Sequence, residues 1–145
     1  QLHQHKNSID SLKSEIDTLI WENEIWDRNI TYKETHLLSA IIHIESSNND
    51  SAHHKGEGAV GCLQIRKCMV DDVNRILRKQ KSTKRYLYHD RWLRYKSIKM
   101  FDIYCKHYGL TTHEEIARCW NGGPRGMQNK LTAKYWKKVK NQLDS

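Results

Sequence analysis

At 145 residues the chain has room for one compact domain and a short appendage, and we expect no second catalytic domain within it. Hydrophobic residues at 37%, with five Trp and seven Tyr, suffice for a core. The 25 basic and 17 acidic side chains leave a formal charge of +8, so the surface attracts polyanions without choosing among nucleic acid, anionic lipid and an anionic cell wall.

A single Pro, seven Gly and apolar residues recurring at three and four positions predict a mainly α fold. No apolar run approaches the roughly 20 residues of a membrane span. The first residue is Gln1 rather than Met, which leads us to expect that a signal peptide or anchor preceding it has been removed. Cys62, Cys68, Cys105 and Cys119 lack the C-x2-C pairing of a zinc site and read as ordinary thiols, with any disulfide pairing left open.

From the N-terminus, an apolar seam runs through Leu2, Ile9, Leu12, Ile16, Leu19, Trp26 and Ile30 at heptad spacing, interrupted by His5 and Asn23. An inward Asn fixes register in parallel coiled coils, so residues 2–30 read either as a homo-oligomerising stalk or as an amphipathic helix folded back on its own domain. We divide the chain into this helix, 1–34, and a domain, 35–145. Thr35 is the expected cap of a buried helix, His36 to Ser46, rich in Leu and Ile. The polar run Ser46 to Ser51 ends it in a turn.

Lys55 to Ile65 contains Gly56, Gly58 and Gly61 and reads as a tight loop or short hairpin. An amphipathic helix follows from Cys68 to Leu77, then a basic segment, Arg78 to Arg85, expected to be a solvated loop. One continuous helix is expected from His89 to Tyr108, stopped by Gly109. Thr112 and Glu115 form a capping-box pattern opening a helix towards Trp120, which Asn121-Gly122-Gly123-Pro124 breaks. A last helix spans about Leu131 to Leu143.

Three motifs carry chemistry. Glu45 ends an apolar helix, where desolvation raises a carboxyl pKa and keeps a proton available for general acid catalysis. The glycines of the second motif let backbone approach a ligand, and the Gln64 amide can donate and accept. In the third, Asn121 stands beside flexible backbone and an aromatic ring, a combination that suits sugars.

These motifs, Ile44-Glu45-Ser46, Gly58-Ala59-Val60-Gly61-Cys62-Leu63-Gln64-Ile65 and Cys119-Trp120-Asn121-Gly122-Gly123, occur in the order found in Slt-type soluble lytic transglycosylases, which are related to goose-type lysozyme. The chain resembles that family over about residues 35–140, with Tyr135 matching a tyrosine near the end of such domains. It differs in having Cys62 where Leu or Pro is usual and Trp120 where Tyr is usual.

The resemblance implies a lysozyme-like helical domain that cleaves the β-1,4 bond between N-acetylmuramic acid and N-acetylglucosamine, leaving 1,6-anhydro ends. Glu45 would be both acid and base. Ser46 would hold Glu45 by a hydrogen bond, and Gly61, Gln64, Ile65, Trp120, Asn121, Gly122 and Tyr135 would bind the glycan strand. No metal or cofactor is called for. A hydrolysing muramidase would need a second carboxylate, for which Asp50, Glu57, Asp71 and Asp72 are the candidates. A non-catalytic wall-binding module is the other alternative. The basic cluster of Arg75, Arg78, Lys79, Lys81, Lys84 and Arg85 reads as a solvated face rather than a nucleic-acid site. The expected setting is the bacterial periplasm or cell envelope, a secreted protein or a phage virion.

Overall fold

The structure, a computed structural model, describes residues 8–18 and 32–145. The chain divides into two compact units, Gln1–Thr31 and Tyr32–Ser145. In the first, residues 8–18 are helical. Ile9, Leu12 and Ile16 are exposed there, each by more than half of its surface, at the spacing of one helix face. Leu2, His5, Leu19, Asn23, Trp26 and Ile30 lie outside the described residues.

The second unit is mainly α. Helix α1 (Tyr32–Ser46) buries Leu37, Leu38, Ala40, Ile41 and Ile42, an apolar run broad enough to be enclosed on most sides. It begins at Tyr32, ahead of Thr35, the residue expected to precede it. Ser47 and Asn48 then take left-handed backbone, with φ of 53° and 65°, and turn the chain away. A two-residue hairpin follows, in which β1 (His53–His54) pairs antiparallel with β2 (Ala59–Val60), His53 opposite Val60.

Helix α2 (Lys67–Lys79) inserts Val70, Val73, Ile76 and Leu77 into the core. It consumes the start of the basic segment expected to be a loop. The rest of that segment is anchored at its end: the Asn74 amide brackets the backbone of Tyr86, donating to its carbonyl at 2.9 Å and accepting from its N–H at 2.8 Å.

The continuous helix expected from His89 to Tyr108 is two elements. A 3-10 turn (Tyr88–Trp92) stops at Leu93, whose backbone is extended, and α3 (Arg94–His107) starts afresh. The physical reason lies in three side chains. Asp90 accepts from the Leu87 N–H at 2.7 Å and pairs with Lys96 at 3.1 Å. Arg91 turns inward, and Ser97 caps its carbonyl at 2.8 Å. These contacts reward the break more than helix periodicity rewards continuity.

Helix α4 (His113–Gly122) is capped by Thr112 as expected, its hydroxyl accepting from the Glu115 N–H at 3.1 Å. Asn121 and Gly122 belong to its last turn. The chain leaves at Gly123, whose φ is 87°. Helix α5 (Lys130–Asp144) is capped by Asn129. It packs on α4 and on α1, while α2 packs on α3. A Cβ on Gly122 would lie 2.4 Å from Thr132 Cγ2, so this glycine sets the α4–α5 approach. Among the described residues, no helix is long and apolar enough to cross a membrane.

Candidate active site

A cleft of about 540 Å³ opens where the end of α1, the hairpin, the start of α2, the end of α4 and the face of α5 that carries Tyr135 meet. That volume lies in the range of small-molecule binding sites. Four of the predicted residues, Glu45, Gln64, Asn121 and Tyr135, line it together although up to 90 positions separate them in sequence. Trp120 and Gly122 line it too.

Glu45 forms the floor. Because α1 is enclosed, its penultimate residue is carried into the interior, and burial pushes the carboxyl pKa up from 4.5 to about 7. Tyr135 and then Arg66 pull in the opposite direction, and Glu57 adds slightly to the rise. Tyr135 is buried on α5. Its hydroxyl interacts with Glu45, yet makes no hydrogen bond of good geometry among the described residues. Burial and then the neighbouring carboxyl hold that phenol firmly in its protonated form. The pair is therefore a largely desolvated acid beside a phenol that can still donate.

Gln64 takes left-handed backbone, φ 51°, and its amide nitrogen donates to Gly61 O at 2.9 Å and Ala52 O at 3.1 Å. Both donor hydrogens are thereby engaged, and Oε1 is the atom left to accept from a ligand. Asn121, by contrast, is exposed on the opposite wall. Trp120 is 5% exposed, with Phe101 and Tyr104 packed edge-on against it, centroids at 4.8 and 5.5 Å. Its ring reaches the cleft from the core and does not offer an open face for stacking.

Three expected binding residues serve the frame instead. Ser46 is buried, and its hydroxyl lies 2.8 Å from Cys62 O and 3.0 Å from Ile42 O, tying the end of α1 to the Gly-rich loop rather than holding Glu45. Ile65 is a core residue, 1% exposed. Gly61 has φ 83°, and a Cβ there would sit 2.0 Å from Arg91 O: its backbone approaches protein, not ligand. Arg91 completes that contact, donating to Gly58 O and Ile65 O at 3.0 Å and to Tyr88 O at 2.8 Å. The unforeseen break at Leu93 is thus what delivers the clamp on the loop that presents Gln64.

Of the four candidate second carboxylates, Glu57 alone lines the cleft. It accepts from Arg66 at 2.7 Å, with His54 at 3.8 Å. Asp50 pairs with Arg94, Asp71 accepts from Tyr88, and Asp72 is held by Arg75 and Tyr108. Arg66, His54, Met69 and Lys138 also line the cleft without having been expected there, as does Cys68, read in sequence as an ordinary thiol. Lys138 was within reach of sequence reading, since it stands three residues after Tyr135 and so shares its helix face.

Among the described residues, no group of three or more His, Cys, Asp or Glu side chains is arranged to hold a metal ion. Cys62, Cys105 and Cys119 are buried, Cys68 is exposed, and all four are free thiols. No protein-family model matches the chain, and no curated protein matches it significantly.

Proposed function

We propose that this chain is a peptidoglycan lytic transglycosylase with a lysozyme-like domain, acting on the bond between N-acetylmuramic acid and N-acetylglucosamine. The observation that carries the reading is Glu45: a carboxyl on a cleft floor whose burial raises its pKa to about 7. Near neutral pH such a group is protonated often enough to give a proton and ionised often enough to take one back.

In the first step the Glu45 carboxyl protonates the glycosidic oxygen, the C1–O bond breaks, and positive charge spreads over C1 and the ring oxygen. The Glu45 carboxylate then removes the proton of the muramyl 6-hydroxyl, whose oxygen bonds to C1 and closes the 1,6-anhydro ring. Glu45 ends protonated, and no water is consumed. The Gln64 carbonyl oxygen, the Asn121 amide and the Tyr135 hydroxyl supply fixed dipoles around the reacting sugar.

One observation favours hydrolysis as the second reading: Glu57 lines the same cleft and is the only acid of the four candidates to do so. Its ion pair with Arg66 keeps it from approaching a water freely, so we rank it below ring closure. Mass spectrometry of products from purified wall decides. Anhydro ends support the transglycosylase, and reducing ends sink it in favour of a muramidase. Wall binding without any product would leave a binding module.

On this reading the partner is the glycan strand, and the site of action is the bacterial envelope or a virion that meets it. The heptad seam of residues 2–30 is proposed to pair with a second copy, which sedimentation of the whole chain with Ile9→Lys and Ile16→Lys tests.

A further inference from the structure

The basic side chains of the cleft are not equivalent. Arg66 is joined to Glu57 at 2.7 Å, and His54 faces the same carboxylate. Lys138 lines the cleft with no ion pair among the described residues. It is exposed, it projects from the face of α5 that carries Tyr135, and it is not among the groups that shift Glu45. An ammonium so placed does little for the acid, yet it borders whatever occupies the cleft.

Resting on the transglycosylase reading, we propose that Lys138 is a specificity-determining residue that pairs with a carboxylate carried on the muramyl side chain of the strand. Neutral sugar hydroxyls give an ammonium no reason to prefer one strand over another, whereas a carboxylate gives a charge-assisted hydrogen bond. That carboxylate has two sources of the same chemistry: the free lactyl group of a peptide-stripped strand, or the carboxyls of an attached peptide.

The test uses the whole chain and soluble peptidoglycan strands, native or with their carboxyls converted to amides. Lys138→Gln should raise KM on native strands about tenfold with kcat unchanged, and Lys138→Arg should restore most of the loss. Wild type should lose the same factor on amidated strands, and Lys138→Gln should lose nothing further there. Lys140→Gln, which removes the same charge from α5 outside the cleft, should behave as wild type. Equal loss from Lys140→Gln, or a Lys138→Gln loss that persists on amidated strands, overturns the proposal.

Stripping the peptides with an amidase separates the sources: where a peptide is attached the lactyl carboxyl is an amide, so dependence on Lys138 there belongs to the peptide carboxyls, and dependence that persists on stripped strands shows that the newly freed lactyl carboxylate serves as well. If wild type releases no product from any strand, the transglycosylase reading fails by itself. Retention of Glu45→Gln and Glu45→Gln/Lys138→Gln on native against amidated strands then decides the Lys138 proposal, equal retention of the two overturning it.

Discussion

The floor and the rim of the cleft hold the same functional group in opposite circumstances. Glu45 on the floor is enclosed by an apolar helix and faces a phenol, and its proton is retained to about pH 7. Glu57 on the rim is 54% exposed, and the Arg66 guanidinium satisfies it. Burial governs the carboxyl on the floor, whereas the carboxylate on the rim is exposed and held by a guanidinium, so one cleft carries two acids in different surroundings. On the proposed reading, the difference gives proton transfer to the floor and orientation to the rim.

The largest expected effect tests that assignment directly. Glu45→Gln should lower product release by about a thousandfold or more while wall binding is retained, since the amide keeps the shape and loses the transferable proton. The same substitution should stabilise the fold in a pH-dependent way. Because the folded pKa lies above the ordinary 4.5, the native state binds more protons than the unfolded chain between 4.5 and about 7, and stability falls across that window as pH rises. Thermal or denaturant melts should therefore show Glu45→Gln more stable than wild type by up to about 3 kcal/mol at about pH 8, and no different at about pH 4.

Next in size is Tyr135→Phe, expected to cost about tenfold to a hundredfold in kcat. Its distinctive signature is in the pH profile. Tyr135 holds the Glu45 pKa down, so removing the hydroxyl should move the basic limb of the rate profile upward. In wild type that limb should fall roughly tenfold per pH unit above about pH 7, as the acid loses its proton. A profile flat to pH 9 would mean that Glu45 does not supply the rate-determining proton.

Smallest is Glu57→Gln, expected to change kcat/KM by only about threefold, as the loss of an exposed ion pair does. It should also lower the limb slightly, because Glu57 adds to the rise at Glu45. A loss matching that of Glu45→Gln would break the division between floor and rim and restore Glu57 as the second carboxylate of a hydrolase.

Much of this cleft was legible in sequence because its key residues sit at ends of elements. Glu45 closes an apolar helix, Gln64 follows the glycines, and Asn121 stands where α4 gives out, so local rules placed each of them at a boundary. What sequence obscured was which contacts faced inward to protein. Ser46 looked like a partner for its neighbour, yet its hydroxyl reaches Cys62 O, 16 positions on. Gly61 looked like an opening for sugar, but the close approach is to Arg91 O. The break at Leu93 was invisible because it is stabilised by side-chain bonds to distant carbonyls, which leave no trace in helical periodicity. Trp120 misled for a related reason: a ring beside a polar turn reads as a platform, and only Phe101 and Tyr104 reveal that it is enclosed.

The four thiols differ in a way that opens an independent view of the cleft. Burial pushes the Cys62 thiol up to about 11 and the Cys105 thiol higher still, and Cys119 is buried as well. Alkylation proceeds through an accessible thiolate, so a mild reagent reaches exposed Cys68 first. Since Cys68 lines the cleft wall, its labelling rate serves as a built-in footprint: on the proposed reading a strand seated over Glu45 would shield it, and the degree of shielding would report occupancy without any turnover at all.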